Sequence, residues 1–247
     1  MNKNYIAQIQ NLNLDFKGKK LFKNLNFDIL ENRSTALLGT SGVGKSTLLR
    51  CIANLETKNI SDGKIVLKEG TNIAWLSQEN SLYPWLSILD NVQLYYHLKG
   101  SKSSQTLQKA KELLSQVNMS EHYDKKTYEL SGGQKQRVAL ARTLMQDANL
   151  ILMDEPFSAL DAITKIQLQD LTCTLLKDKT VILVTHDPQE AIKLANHIYI
   201  LKNQPVHIEE VASLQGSLPH QISNEKLWNL QEDLISKIQE KHKESEI

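Results

Sequence analysis

The first apolar residues of this chain come in short runs, which is typical of β-strands. Two runs, at 5–7 and 25–29, are separated by a charged, glycine-containing break at 17–19. This arrangement predicts antiparallel strands. Two further short runs, at 63–67 and 72–76, predict two more strands in the same part of the sequence.

A helical pattern replaces the short runs from about residue 87 to residue 144. Its clearest face consists of four apolar residues at spacings of three and four: Leu107, Ala110, Leu114 and Val117. Residues at these spacings lie on one side of an α-helix. The middle of the chain is therefore predicted to be helical.

Continuous apolar runs follow this helical segment, at 150–153, 181–184 and 198–201. Such runs are expected in a parallel sheet that is covered by helices on both faces. A helix is predicted to begin between the last two runs, because 187–190 supplies an N-cap aspartate, a first-turn proline and a capping glutamate. The fold class is therefore predicted to be α/β.

The same pattern divides the chain into a main domain and a tail. Residues 1–202 form the predicted domain, with the helical subdomain inserted at about 79–145, and 203–247 form the tail. Four apolar residues of the tail have the spacing of an amphipathic helix: Leu227, Leu230, Leu234 and Ile238. We expect this final helix to pack on the core of the chain or at a contact between two copies.

Composition and charge narrow the class of protein. With 247 residues, 40% of them hydrophobic and 23% charged, the chain has the composition of a globular protein of one large or two small domains. A net charge of +1 gives no field that would hold a nucleic-acid backbone. No apolar run approaches the roughly 20 residues of a membrane-spanning helix, and the N-terminus lacks the apolar core of a signal peptide. Cys51 and Cys173 have no metal-binding spacing and are predicted to pack as small apolar residues. We therefore expect a cytosolic protein whose membrane role comes through a partner.

A glycine-rich loop of the form G-x-x-x-x-G-K-[ST] follows the apolar run 36–38. Its glycines allow backbone N–H groups to turn inward around a β-phosphate, and Lys45 adds a positive charge near the β- and γ-phosphate oxygens. The Ser46 hydroxyl can ligate Mg²⁺. A chance glycine-rich turn is the alternative, but the apolar run supplies the strand that the motif requires. The loop residues predicted to bind ATP are Gly39, Thr40, Ser41, Gly42, Val43, Gly44, Lys45, Ser46 and Thr47.

Two carboxylates, Asp154 and Glu155, follow the apolar run 150–153. The C-terminal ends of such strands are where α/β sheets bind ligands. Asp154 is predicted to hold Mg²⁺ through water, and Glu155 to polarise the attacking water as a general base. The alternative is an acidic turn that ends the strand before Pro156, but the phosphate loop favours the catalytic interpretation.

Three further residues are predicted to serve the same site. His186 follows the next apolar run and is predicted to contact the γ-phosphate in the transition state, although a single histidine is usually structural. The Gln78 amide can reach Mg²⁺ and the attacking water. Phe16 can stack on adenine, although an aromatic residue so near the N-terminus is more often part of a core.

A second glycine-containing motif opens an apparent helix, at Ser131, Gly132, Gly133 and Gln134. A hydroxyl group and glycine amides at a helix N-terminus form an anion site. One molecule has no need of two γ-phosphate sites. An isologous dimer uses both, because each copy's second motif then faces the other copy's phosphate loop.

Taken in this order over residues 5–202, the motifs resemble those of the ATP-binding subunits of ABC transporters. The resemblance implies ATP hydrolysis with Mg²⁺ by a P-loop NTPase (RecA-like) core with an N-terminal antiparallel β-subdomain and an inserted helical subdomain. It places Ser131–Gln134 in the signature that contacts the ATP of the other subunit, and Asp161 in the loop that couples the two ATP sites. The family more often has tyrosine where this chain has Phe16, and stacking is preserved.

A finer resemblance concerns the importer branch. The segment 82–92 is similar to importers of nitrate, taurine, aliphatic sulfonates and thiamine precursors, and 160–171 with 185–191 most resemble the hydroxymethylpyrimidine (thiamine-precursor) importers. The implied protein is a motor subunit at the cytoplasmic face of a bacterial inner membrane. Its implied partners are a second ATPase subunit, transmembrane permease subunits and, through them, a periplasmic or lipid-anchored solute-binding protein, with no nucleic acid.

Several alternatives to this interpretation remain. The solute can be taurine, an aliphatic sulfonate or nitrate instead of a thiamine precursor. An exporter or lipoprotein-release ATPase would share all the chemistry, and the stretch 83–86 argues against it. A non-transport relative that acts on nucleic acid or ribosomes would carry two ATPase units or a long coiled coil, whereas this chain has one unit and no heptad run.

Tyr83 and Trp85 flank Pro84 just beyond Gln78. By resemblance, 78–92 forms part of the groove that receives a short cytoplasmic helix of the membrane subunit. Burial of the two aromatic side chains in this chain's own core is the alternative. We expect them to lie at an interface, because aromatic residues anchor interface centres.

Overall fold

The computed structural model describes residues 4–16, 18–203, 205–220 and 225–239. The described residues form the strands β1 (Tyr5–Phe16), β2 (Lys19–Leu30), β3 (Ser34–Leu38), β4 (Ile60–Leu67), β5 (Ile73–Leu76), β6 (Leu150–Asp154), β7 (Thr180–Val184), β8 (His197–Lys202) and β9 (His207–Ser213). They also form the helices α1 (Lys45–Ile52), α2 (Ile88–Val92), α3 (Leu94–Leu98), α4 (Ser104–Gln116), α5 (Gly132–Leu144), α6 (Ala162–Leu175), α7 (Pro188–Leu194) and α8 (Glu225–Gln239).

The chain divides into two compact units. The first unit combines the chain up to Thr71 with the chain from Leu176 onward, and the second unit runs from Asn72 to Leu175. The predicted helical subdomain at about 79–145 lies inside the second unit, and its bounds stay a prediction. Among the described residues, none of the helices combines the length and the apolar character needed to cross a bilayer.

An antiparallel sheet begins the first unit, with β1 between β2 and β4. The predicted antiparallel arrangement is thereby confirmed. Every second side chain of β1 is buried from Ala7 to Ile9 and again from Leu12 to Leu14, with a register shift between these stretches, as expected for a strand with one face on the core.

A second sheet in the first unit has β3 between β7 and β8, both parallel to it, and β9 antiparallel to β8. Every residue of β3 and β7 is buried, which agrees with the continuous apolar runs that predicted these strands. Leu37 pairs with Val184, so the C-terminal ends of β3 and β7 lie at the same edge of the sheet.

Helix α8 confirms the amphipathic helix predicted for the tail. Leu234 is fully buried in a cluster with residues of β3, α7 and β8. Three partly buried residues of α8 pack against this cluster: Leu227, Leu230 and Ile238. Of the two predicted positions for this helix, packing on the core is the one observed. Trp228 and Ile235 on the same helix stay exposed.

The second unit contains a parallel strand pair, β5 and β6, and the helices α2 to α6. The face predicted for α4 is buried at Ala110 and Leu114, and at Val117 just after the helix, while Leu107 in the first turn is exposed. Cys51 on α1 and Cys173 on α6 are both buried, which agrees with the prediction that they pack as small apolar residues.

Candidate functional site

The glycine-rich loop connects the end of β3 to the start of α1 in the first unit. Gly44 has a φ of 118°, a conformation that favours glycine. A Cβ atom at Gly39 would lie 2.8 Å from the backbone oxygen of Leu201, so no larger residue fits there without a shift. Gly39 is buried, whereas Thr40, Ser41 and Gly42 at the tip are exposed. The tip is therefore open to a ligand from solvent.

Lys45 is the first residue of α1 and is only 4% exposed. Its Nζ donates to the backbone oxygen of Gly39 at 2.7 Å and to that of Thr40 at 3.0 Å. The ammonium group is thus held at the loop, where the N-terminus of α1 adds a partial positive charge. Ser46 occupies the next position in this first turn, and the side chain of the loop residue Val43 is buried.

His186 lies at the same sheet edge as the glycine loop. The preceding residue, Thr185, donates its backbone N–H to Leu37 on β3 at 3.2 Å, and its hydroxyl donates to Glu190 at 2.5 Å. These contacts tie the end of β7 to β3 and to α7, and the exposed His186 follows directly. The first unit therefore brings His186 and the loop to one edge of the sheet.

Phe16, at the end of β1, is 45% exposed. The alternative that this ring belongs to the core is therefore wrong. An exposed aromatic face is suited to stacking on a planar ligand.

Gln78, Asp154 and Glu155 come together at one edge of the β5–β6 pair in the second unit. Leu76 pairs with Met153, so Gln78 and Glu155 follow their strands at equivalent positions. The Nε2 of Gln78 donates to the hydroxyl of Ser158 at 3.3 Å, and that hydroxyl donates to the backbone oxygen of Glu155 at 3.0 Å. Ser158 therefore links the two predicted catalytic residues of this unit.

Glu155 has a φ of 45°, which lies in the left-handed region. This conformation is uncommon for residues other than glycine, and it costs of order 1–3 kcal/mol when the surrounding structure imposes it. Such strain is typical of residues whose side chain must be aimed at a ligand.

The signature residues form the N-terminus of α5. The Ser131 hydroxyl accepts from the backbone N–H of Gln134 at 3.3 Å, and the Gln134 side-chain oxygen accepts from the backbone N–H of Ser131 at 3.0 Å. This reciprocal cap fixes the first turn and leaves the hydroxyl proton of Ser131 available for donation. A Cβ atom at Gly133 would lie 2.4 Å from Thr164 Cγ2, whereas one at Gly132 would meet nothing within 4 Å. Gly133 thus permits the close approach of α6, and Gly132 faces open space.

Comparison with known proteins identifies the family of this chain. The family model described as ABC transporter matches residues 22–158. An uncharacterized ABC transporter ATP-binding protein of Haemophilus influenzae is 52% identical over 94% of this chain and 98% of the relative. This chain belongs to the ABC transporter family.

Two other relatives of this ABC protein are named for a solute. The aliphatic sulfonates import ATP-binding protein SsuB of Delftia acidovorans is 40% identical over 76% of each chain. The taurine import ATP-binding protein TauB of Pelagibacter ubique is 34% identical over 92% of this chain and 97% of the relative.

Among solved structures, a dimeric ATP-binding cassette in a post-hydrolysis state with ADP and Pi is similar to this ABC protein. It matches with a TM-score of 0.72 and 30% identity, and the match covers 85% of this chain and 99% of the solved one. The predicted P-loop NTPase fold is confirmed, and the ABC protein is an ATP hydrolase.

Asp161 precedes α6 of the ABC protein, and its carboxylate accepts from the backbone N–H of Thr164 at 3.0 Å. This hydrogen bond holds the pKa of Asp161 below its usual value, so the exposed side chain stays ionised at neutral pH.

Tyr83 and Trp85 of the ABC protein are 39% and 68% exposed. Their rings contact each other edge to face, with centroids 5.1 Å apart. The alternative that both rings are buried in the chain's own core is therefore wrong.

Two supporting residues of the ABC protein were given no role from the sequence, Asn91 and Arg142. Asn91 is fully buried on α2, and Arg142 is partly buried on α5. A polar side chain at a helical position that the apolar pattern assigns to the core is the only sequence signal that marks them.

Proposed function

We propose that this chain is the motor subunit of an importer, in which two copies close around ATP and reopen after hydrolysis. One observation carries the proposal: the chain has two separate places suited to phosphate, the loop around Lys45 and the capped N-terminus of α5. ATP at the loop of one copy would meet the signature of the second copy. The relatives that import sulfonates and taurine support the direction of transport.

In this proposal the loop amides and Lys45 bind the phosphates of ATP, and Phe16 stacks on the adenine ring. The residues assigned to this task are Phe16, Gly39, Thr40, Ser41, Gly42, Val43, Gly44, Lys45, Ser46 and Thr47. Ser131 and the amides of Gly132 and Gly133 bind the γ-phosphate of the partner copy's ATP, and Gln134 maintains the cap that orients them.

The residues assigned to Mg²⁺ all offer oxygen ligands. Ser46 supplies a hydroxyl, Gln78 an amide oxygen and Asp154 a carboxylate, and Mg²⁺ prefers such ligands and keeps several waters. Because the Nε2 of Gln78 donates to Ser158, its oxygen is the atom suited to this task. Bound Mg²⁺ would neutralise charge on the phosphate oxygens.

For hydrolysis, we assign Glu155 as the general base that polarises the attacking water. Gln78, placed beside it through Ser158, orients that water. His186 donates a hydrogen bond to the γ-phosphate as charge develops in the transition state. Asp161, ionised and fixed to the first turn of α6, couples the two ATP sites of the dimer.

The exposed pair Tyr83 and Trp85 is proposed as the docking point of transmembrane permease subunits. Through the permease the chain would serve a periplasmic or lipid-anchored solute-binding protein. The proposed location is therefore peripheral, at the cytoplasmic face of the bacterial inner membrane, with no nucleic-acid partner.

For the solute, the sequence resemblance favours a thiamine pyrimidine precursor, with taurine, an aliphatic sulfonate or nitrate as alternatives. The relatives named above give no support to the pyrimidine, and at 34% and 40% identity they do not favour taurine or sulfonates over it. Calorimetric titration of the partner solute-binding protein identifies the solute. The four ligands to compare are hydroxymethylpyrimidine, taurine, an alkanesulfonate and nitrate. Binding of the pyrimidine alone supports the first choice, and binding of another solute alone replaces it.

The assigned base is tested by phosphate release from the full chain with Mg-ATP. Glu155→Gln should lower the rate by a factor of about 100 or more, because general-base catalysis contributes typically that much. Glu112→Gln, an exposed glutamate on α4 outside the site, is the matched control and should keep the wild-type rate. Wild-type turnover in Glu155→Gln would contradict the assignment.

A further inference from the structure

Arg142 lies near the C-terminal end of α5, the helix that begins at the signature. Its Nη1 donates to the backbone oxygen of Ser81 and its Nη2 to that of Asn80, both at 2.8 Å. Burial lowers the pKa of this guanidinium, which nonetheless stays charged, as arginine does in proteins. A charged fork with two short bonds to successive carbonyls holds this piece of backbone firmly.

The backbone held by Arg142 belongs to a compact loop that follows β5. Within this loop the hydroxyl groups of Ser77 and Ser81 both donate to the backbone oxygen of Glu79. The loop contains Gln78, which lies at the edge of the β5–β6 pair beside Ser158. Arg142 therefore holds the loop at Asn80 and Ser81, just after Gln78 in the sequence.

Residues 80–87, here called the docking segment, are also held by hydrogen bonds at Tyr83, Trp85 and Ser87. The buried amide of Asn91 accepts from the backbone N–H of Tyr83 at 2.8 Å and donates to the backbone oxygens of Tyr83 at 3.1 Å and Ser87 at 2.9 Å. The Nζ of Lys126, shortly before the signature, donates to the backbone oxygen of Trp85 at 3.0 Å. The backbone that carries the two exposed aromatic rings is thus fixed by side chains from several parts of the second unit.

Of the side chains that hold the docking segment, Arg142 is the one that lies on α5, the helix that begins at the signature. Ser131 and Arg142 are separated by three turns, or about 16 Å along the axis at 1.5 Å per residue. Because α5 is one continuous helix capped by Ser131, a displacement of the whole helix carries Ser131 and Arg142 together.

We infer that Arg142 is a positioning residue, through which the signature helix moves the docking segment when ATP closes the dimer. The inference rests on the proposed function, because it requires the signature to meet the ATP of a second copy. It adds a direct mechanical link from the signature to the surface formed by Tyr83 and Trp85.

Trp85 can report this motion in the full chain. The sequence has three tryptophans, so replacing Trp75 and Trp228 with phenylalanine leaves Trp85 as the single emitter. In a Glu155→Gln background, Mg-ATP should trap the dimer. Emission and acrylamide quenching of Trp85 are then recorded with and without Mg-ATP, together with the sedimentation coefficient and a melting curve.

The reference protein should show an ATP-induced change in Trp85 emission, and Arg142→Gln should lose most of that change while still forming the dimer. Arg142→Lys should retain a smaller change, because an ammonium group can reach one of the two carbonyls. The matched control is Arg137→Gln on the same helix, whose guanidinium donates to Val117 at 3.2 Å and to Gln167 at 3.4 Å instead. This control should keep the full change.

A full-sized ATP response in Arg142→Gln overturns the inference. So does a reference protein that dimerises with ATP while Trp85 stays unaffected, and in that case the proposed function stands. A reference protein that forms no dimer with ATP overturns the proposed function and the inference together. If Arg142→Gln does not fold, Arg142→Lys decides, since a reduced response supports the link and an undiminished one overturns it.

Discussion

Replacing Lys45 with alanine should abolish most of the stabilisation that ATP gives to this chain. Lys45 is buried at the start of α1, where its ammonium group donates to the backbone oxygens of Gly39 and Thr40. The substitution removes the positive charge that we assign to the β- and γ-phosphates of ATP. It keeps the glycine loop and the N-terminus of α1, so weak nucleotide binding can remain.

The magnitude follows from linkage between binding and folding. ATP at about 1,000 times its dissociation constant should stabilise the folded chain by roughly 4 kcal/mol. For a chain of this size each kcal/mol raises the melting temperature by about 2–4 °C, so the shift should be on the order of 10 °C. Without ATP, Lys45→Ala loses two hydrogen bonds but no longer buries an ammonium group, and these effects oppose each other. The variant should therefore stay folded.

Scanning calorimetry with and without Mg-ATP measures both shifts, at the ATP concentration that saturates the wild type. Arg50→Ala is the matched control, because Arg50 is an exposed basic residue in the last turn of the same helix. It removes the same charge without touching the loop and should keep the full ATP shift. An equal shift in Lys45→Ala and the wild type would refute the assignment of Lys45 to the phosphates.

Two further experiments test the signature and the docking surface. Gly133→Ala should destabilise the chain by about 1–3 kcal/mol through overpacking against Thr164, while Gly132→Ala, which meets open space, should keep its melting temperature; equal melting temperatures would show that the close approach is unimportant. Tyr83→Ala combined with Trp85→Ala should leave ATP binding nearly intact and strongly reduce pull-down of the permease and transport, because both rings are exposed. Normal assembly would contradict the docking role, and a collapsed melting temperature would favour a structural one.

The parts of the fold that could be predicted from the sequence are those that depend on residues close together along the chain. Strands β3, β6, β7 and β8 are continuous apolar runs, and α8 follows from the spacing of four apolar residues. The phosphate loop and the cap at Ser131 are likewise short patterns whose geometry depends on adjacent residues. For these elements, pattern and structure agree.

The supporting contacts could not be predicted, because they join residues distant in sequence. Gln78 and Ser158 are 80 positions apart, and Arg142 and Ser81 are 61 apart. Nothing near Arg142 indicates which carbonyls its guanidinium reaches. The exposure of Phe16 and of Trp85 depends in the same way on tertiary packing, which leaves both side chains outside the core.

The central claim is that two copies close around ATP, with the signature of one copy on the phosphate loop of the other. Sedimentation velocity of Glu155→Gln with and without Mg-ATP tests it most directly, because this variant should bind ATP and not hydrolyse it. We expect a monomer without ATP and a dimer with it. Adding Ser131→Arg, which places a bulky side chain at the exposed N-terminus of α5, should abolish the dimer while ATP binding persists. A chain that stays monomeric in saturating Mg-ATP, or a dimer that tolerates Ser131→Arg, would contradict the account.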